Sequence, residues 1–400
     1  MTQQEAVQSP GRSGDQFARV VRESVATGAI AGAVAAVTTK QMMRIEAFGF
    51  QNQALSTPME LQTIFRMAST AKMVFTVAAL VLLQEKKFRL EEEISKWVPE
   101  LGNRRVLRTP GSELDDTVPA RREITMFDVL TFQLGIGMYL APQVTPLLRA
   151  MMALGVAPAT ESVPFGPDEF MSRLGSLPLA HQPGETFMYH TGDDVLRVLI
   201  SRIAGQSLGE FLRERVFDPL RMIDSALSVP NSKLARFSTC YLPQKDAGNK
   251  LSVWDEADGR FAKDPLYPNQ IVSTVSDYIN LTNMLLCEGS FQGRRVLAPQ
   301  SVVLMMTDHL NAEQKARSPA PRAFWEVRGW GMGATVYTQS IPRGPGARSY
   351  SWFGGFGPHF IVDKKRGSSI ILMIPRVVQG DKETELGYEY ELNTYRDILS

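Results

Sequence analysis

Cysteine is nearly absent from this 400-residue chain, with Cys240 and Cys287 the only two. Two thiols cannot build a disulfide framework, and no Cys-x-x-Cys spacing points to a redox or zinc motif. Both read as structural thiols in a reducing compartment. Histidine is scarce too: His181, His190, His309 and His359 show no zinc-ligand spacing, so no metal site is expected. Charge of one sign is also lacking. Forty-three basic and 42 acidic residues leave a net charge of +1, which gives no electrostatic footprint for nucleic acid or an acidic membrane surface. The longest apolar run, Met73 to Leu83, falls well short of the roughly 20 residues that span a bilayer. The polar stretch Met1 to Asp15 has no apolar core of the secretory kind. These absences lead to the expectation of a soluble, cytoplasmic protein with no nucleic-acid or membrane partner. They leave the oligomeric state open.

What is present is enough apolar sequence, 44%, to bury a large core across two joined lobes. Residues 1–14 read as a disordered tail. Phe17, Val20, Val21 and Val25 follow helical spacing, with Gly28 at a C-cap position. Strand-like runs follow at Ile30 to Thr39 and Met42 to Phe50. From about residue 90 to 325 the pattern is mainly helical, broken by loops of which Thr109 to Arg122 is the longest. Strand patterning returns at Trp330 to Thr338, Phe360 to Asp363 and Ser368 to Pro375, and a helix is expected near Glu385 to Leu399. Strands at both ends with helices between imply one sheet assembled from the two termini, interrupted by an inserted helical lobe. The expected division is 15–90 plus 325–400 for the sheet domain and 91–324 for the helical one.

Three clusters carry chemistry. Ser69-Thr70-Ala71-Lys72 places a hydroxyl and an amine one turn apart on the same helical face. A serine hydroxyl gains nucleophilicity from a base beside it. Such spacing arises about once by chance in a chain this long, but here an extended approach, Thr63 to Met67, precedes it and the apolar run follows. That setting suits a buried helix with the serine at its N-terminus, where free N–H groups favour an oxyanion. The second cluster, Pro183 to Asp194, delivers Tyr189 on a Pro-Gly turn. A phenol acts as a base if a neighbouring ammonium stabilises its anion; otherwise Tyr189 is a packing aromatic. The third, Trp352-Phe353-Gly354-Gly355-Phe356-Gly357, puts glycines at a strand, which marks close backbone approach. An edge strand there could present the Gly355 N–H to the nucleophile. A competing Gly205-Gln206-Ser207-Leu208-Gly209 matches the nucleophile elbow of α/β-hydrolases. It follows a helical rather than a strand pattern, and Ser207 with Glu210 reads as a capping box.

Taken in order, Ser69-x-x-Lys72, Tyr189 and Trp352-Phe353-Gly354 resemble the three active-site motifs of the serine β-lactamase and penicillin-binding-protein superfamily. Within it the chain looks most like the family VIII carboxylesterases, which are similar to class C β-lactamases. The likeness runs from about residue 17 to about residue 375 and takes in Arg121 to Thr131, Asp194-Val195-Leu196, Phe217 to Met222 and Val272 to Tyr278. The resemblance implies a serine β-lactamase-like α/β (α+β) fold, an antiparallel sheet flanked by helices. It implies Ser69 as the acyl-forming nucleophile and Lys72 with Tyr189 as general base and acid. Backbone N–H groups of Ser69 and Gly355 would form the oxyanion hole, and Trp352, Phe353, Gly354 and Thr191 would contact substrate. The chain departs from the pattern where β-lactamases carry Lys-Thr-Gly, because Trp352-Phe353-Gly354 supplies no cation for a β-lactam carboxylate. Family esterases commonly have Trp-Gly-Gly there, so Phe353 adds bulk. Tyr-x-Asn becomes Tyr189-His190-Thr191, and His-Thr-Ser-Gly becomes Phe132-Gln133-Leu134-Gly135. The resulting expectation is a serine carboxylesterase that cleaves small, uncharged esters through a Ser69 acyl-enzyme, with no cofactor. Acyl transfer, amide hydrolysis and weak β-lactamase activity are alternatives on the same fold. A non-catalytic ligand-binding member is the alternative of another class, and the intact Ser69, Lys72 and Tyr189 argue against it.

Overall fold

The computed structural model describes residues 16–140, 144–158, 163–244, 250–257, 259–263, 265–267, 270–378 and 381–399, with the side chains of 381–385 left out. The expected tail at 1–14 lies outside them. Helix α1 (Gln16–Ala26) precedes strands β1 (Gly32–Thr38), β2 (Met43–Asn52) and β3 (Thr57–Pro58). Helix α2 (Lys72–Gln84) follows, then α3 (Thr191–Ala204) and α4 (Val275–Leu286) in the middle of the chain. The C-terminal part supplies β4 (Arg328–Trp330), β5 (Thr335–Tyr337), β6 (Tyr350–Phe353), β7 (His359–Asp363) and β8 (Ser368–Met373), then helix α5 (Asp381–Ile398).

The eight strands form one antiparallel sheet in the order β4-β5-β6-β7-β8-β1-β2-β3. Strand β1 is buried along its whole length because helices cover both faces. Successive side chains of a strand point to opposite faces. Val34 and Ala36 therefore join the core around α2, while Ala33, Ala35 and Val37 pack with Phe17, Tyr390 and Tyr395 of the terminal helices. Helix α2 itself is buried from Lys72 to Leu82, as an uninterrupted apolar run demands. The middle of the chain is helical with short two-stranded pieces. One lies inside the long loop, where Thr117–Pro119 pairs with Arg105–Leu107.

Three details differ from the sequence expectation. The run Trp330 to Thr338 is not one strand but parts of β4 and β5. Gly333 turns the chain at φ +79°, and a Cβ there would lie 2.3 Å from Thr76 Oγ1 of α2. Strand β6 lies inside the sheet, between β5 and β7, and not at its edge. Cys240 is buried, with its thiol pushed up to about 12 by burial, but Cys287 is exposed and so is not a core thiol. Among the described residues no helix is long and apolar enough to cross a membrane.

Helix α5 is fastened by a buried ionisable pair: His359 Nε2 of β7 lies 3.5 Å from Glu391 Oε2. The Tyr337 hydroxyl donates to Glu391 Oε1 at 3.2 Å. Burial pushes Glu391 up to about 8 and His359 down to about 4. Glu391 thus keeps its proton when folded, whereas an unfolded glutamate loses it near pH 4.5. Its contribution to stability is complete below that value and declines as the pH rises towards 8. His359 has the opposite sign and acts between about 4 and its ordinary 6.5. Glu391→Gln should therefore gain stability relative to wild type in thermal melts as the pH rises from 5 to 8. A pH-independent difference would exclude a neutral buried Glu391.

Candidate active site

The approach to Ser69 is a two-residue strand, Phe65–Arg66, paired with Val272–Ser273. Arg66 locks it through two hydrogen bonds to Asp255 Oδ2, at 3.0 and 2.6 Å, and one to the Ser238 carbonyl at 2.6 Å. The chain then enters a tight 3₁₀ turn, Ala68–Ala71, that runs directly into α2. Ala68 takes φ +45°, a sparsely populated conformation for a residue with a Cβ and one that persists only where surrounding structure enforces it. Ser69 is half-buried at this corner. The opening of a helix leaves backbone N–H groups without intrahelical partners, and Ser69 sits among them.

One turn on, Lys72 is 3% exposed. Its Nζ donates to Ser69 Oγ at 3.2 Å and lies 3.8 Å from Asp193 Oδ2. The same Nζ is 5.3 Å from the centroid of the Tyr189 ring. Tyr189 is 5% exposed and is fixed by its neighbours. Its carbonyl accepts from Met138 N at 2.8 Å, and its ring packs on Phe132, Phe187, Trp330 and Trp352. The hydroxyl accepts a hydrogen bond from the Trp352 indole at 2.7 Å. Ser69, Lys72, Tyr189 and Trp352 are thus brought together from three separate stretches of chain.

Strand β6 carries the third cluster against the nucleophile turn. A Cβ on Gly354 would lie 2.6 Å from the Met67 carbonyl and 3.3 Å from Ala68 Cβ, so this position admits only glycine without displacement. Gly355 follows in a turn closed by Gly357 N donating to the Gly354 carbonyl at 2.9 Å, and its own carbonyl accepts from Val378 N. Phe353 is half-buried and stacks on Trp352 at 5.0 Å. Thr191 is fully buried at the first position of α3, with Oγ1 unpartnered among the described residues. His190, just before it, takes φ +80°. Its imidazole is pushed well below the ordinary value by burial, then by Lys72 and Arg197.

Two groups escaped sequence reasoning. Phe324 and Trp325 pack edge-on against Trp352 and Phe187 respectively, extending the aromatic wall from a segment with no motif. Asp193, Asp194 and Arg197 form a buried ionic cluster behind Lys72, with Arg197 paired to both aspartates. Its signal in the sequence was an i, i+4 spacing that surface helices share. Ser207 is a helix cap: its Oγ accepts from Glu210 N, and Glu210 Oε2 accepts from Ser207 N.

An amine in hydrogen-bond contact with a hydroxyl at a helix start, with a tyrosine ring beside the amine, sets out the kinds of group that proton-assisted attack on a carbonyl needs. The fold is β-lactamase-like, that of the serine hydrolase superfamily to which β-lactamases belong. The Beta-lactamase family model matches residues 17–392, and the chain belongs to that family. Among its relatives is Protein Rv1367c of Mycobacterium tuberculosis, 34% identical over 365 residues covering 88% of each chain. The Lovastatin esterase of Penicillium rubens is 25% identical over 397 residues, 93% of this chain and 96% of that one. Among solved structures, EstCE1, described as a hydrolase with promiscuous acyltransferase activity, superposes with a TM-score of 0.78 at 18% identity, covering 95% of this chain and 98% of that one.

The Trp352 indole is the described donor on the Tyr189 oxygen, and a hydrogen bond to a charged acceptor is worth about 1.5–3 kcal/mol against about 1 for a neutral one. If Tyr189 carries negative charge during turnover, Trp352→Phe should lower kcat for ester substrates about three- to thirtyfold while keeping the aromatic packing. A change below about threefold would mean that the indole only packs.

Proposed function

We propose that this protein is a serine carboxylesterase acting on small, uncharged esters through a Ser69 acyl-enzyme. The observation that carries the reading is the 3.2 Å contact between Lys72 Nζ and Ser69 Oγ, beside a Tyr189 phenol that accepts from Trp352. Ser69 Oγ attacks the ester carbonyl and its proton passes to the Tyr189–Lys72 pair. Backbone N–H groups of Ser69 and Gly355 receive the oxyanion. The C–O bond to the alcohol breaks, and the pair returns the proton to the departing oxygen. A water, deprotonated by the same pair, then attacks the acyl-enzyme and releases the acid and Ser69. The 25%-identical Lovastatin esterase supports ester cleavage. The likeness to family VIII carboxylesterases belongs to this reading, as do substrate contacts at Trp352, Phe353, Gly354 and Thr191. A second reading, acyl transfer to an alcohol in place of water, is favoured by the description of EstCE1.

Ser69→Ala should abolish p-nitrophenyl ester turnover and fluorophosphonate labelling, whereas Ser207→Ala should keep both and lose about 0.5–2 kcal/mol of stability. Turnover by Ser69→Ala would remove the assignment. β-Lactams should be poor substrates. Trp352 stands where the resemblance places an ammonium, and a desolvated, unpaired carboxylate costs several kcal/mol. The kcat/KM for a short p-nitrophenyl ester should exceed that for nitrocefin by about a hundredfold or more. Comparable values would put β-lactam hydrolysis first.

A further inference from the structure

Helices α2 and α3 pack against each other in a register that sets Lys72 beside Asp193 and, one turn on, Phe75 beneath Arg197 at 5.3 Å. Asp193 and Asp194 both lie in the first turn of α3, where the helix dipole favours negative charge. They are not equivalent. Asp193 Oδ2 meets both Lys72 Nζ and Arg197. Asp194 pairs with Arg197 and lies 3.7 Å from His190 Nε2; Lys72 acts on it electrostatically but forms its ion pair with Asp193. Arg197 is 2% exposed, has the Tyr267 ring beneath it at 5.5 Å, and cannot swing away. Asp193 is therefore held from behind by a fixed cation and presents its carboxylate to a second cation, whose other contact is the Ser69 hydroxyl. An ammonium has three donors on a flexible four-carbon stem. The Ser69 hydroxyl at hydrogen-bond distance and the Asp193 carboxylate 3.8 Å away together limit where it can sit.

We infer that Asp193, braced by Arg197, is a positioning residue that holds the Lys72 amine on Ser69 Oγ. This rests on the reading of Ser69 and Lys72 as the reactive pair. Asp193 touches neither Ser69 nor substrate and acts through Lys72 alone. Its removal should therefore slow the Ser69 chemistry only while Lys72 is present, which no purely structural role would require, whereas loss of its ion pair with Arg197 costs stability in either background.

The test is a double-mutant cycle read as the rate of covalent fluorophosphonate labelling at Ser69, alongside ester kcat, KM and thermal melts. Asp193→Asn should slow labelling and lower kcat by about ten- to a hundredfold, with KM within about threefold of wild type. In a Lys72→Ala background the same change should alter labelling by less than about twofold, because the partner it positions is gone. Asp194→Asn removes the other buried partner of Arg197, so it should depress the melting temperature similarly while slowing labelling by less than about threefold. Asp193→Ser repeats the cycle should the Asn variant not fold. Equal losses in both Lys72 backgrounds, or losses that follow the melting temperature across Asp193→Asn and Asp194→Asn, would overturn the inference and leave the reading of Ser69 standing. A wild-type protein that takes no label at Ser69 would overturn both.

Discussion

A lysine amine buried to 3% exposure beside a serine hydroxyl is the constraint on which the surrounding structure depends. A charge taken out of water costs several kcal/mol unless it is paired and hydrogen-bonded. The amine brings with it an aspartate, which requires an arginine, which takes a second aspartate. The result is a balanced set of two cations and two anions at the seam between the nucleophile helix and α3. The second aspartate shows the cost: burial pushes Asp194 up to about 6 despite the Arg197 beside it. The seam must stay dry and tightly registered.

The other half of the site is made by close approach. Ala68 is held at a positive φ immediately before Ser69, and Gly354, just past the end of β6, comes near enough to the Met67 carbonyl to exclude a Cβ. The two features explain each other. The strained corner lifts Ser69 out of the strand-to-helix path, and the sheet presses against the corner and prevents its relaxation. Strain of about 1–3 kcal/mol is thereby held at Ala68, next to Ser69, by its packing against the segment that leaves β6.

Much of this was legible in the sequence, wherever the signal is local. An apolar run with no charge in it becomes the buried helix α2; Ser207 and Glu210 three residues apart become a capping box and not a nucleophile elbow. The proximity of Ser69, Lys72 and Tyr189 was legible because each sits in a short motif. What could not be read depends on distant partners. The turn that divides β4 from β5 is set by the contact of Gly333 with Thr76 on another element, and the interior place of β6 is a matter of strand order. Trp352 read as an apolar surface for substrate, but its indole N–H is engaged by a tyrosine 163 residues away. Asp193 and Arg197 carry the i, i+4 spacing of any solvated helix pair, and only the packing of α3 on α2 makes them part of a buried site.

The strand order has a consequence for how the chain comes to be active. Val34 in β1 pairs with Met373 in β8, so the middle of the sheet joins an early segment to one of the last. Contacts so far apart in sequence form slowly and late. A nascent chain leaves the ribosome with its nucleophile helix already made but with neither β6 to press on the Ser69 corner nor Trp352 to meet Tyr189. Ser69 and Lys72 are synthesised early, yet the packing around them is completed only when the last strands dock. Until then α2, buried from Lys72 to Leu82 in the folded protein, lacks the C-terminal strands of the sheet that covers it, and this is the interval in which a chaperone would have most to hold.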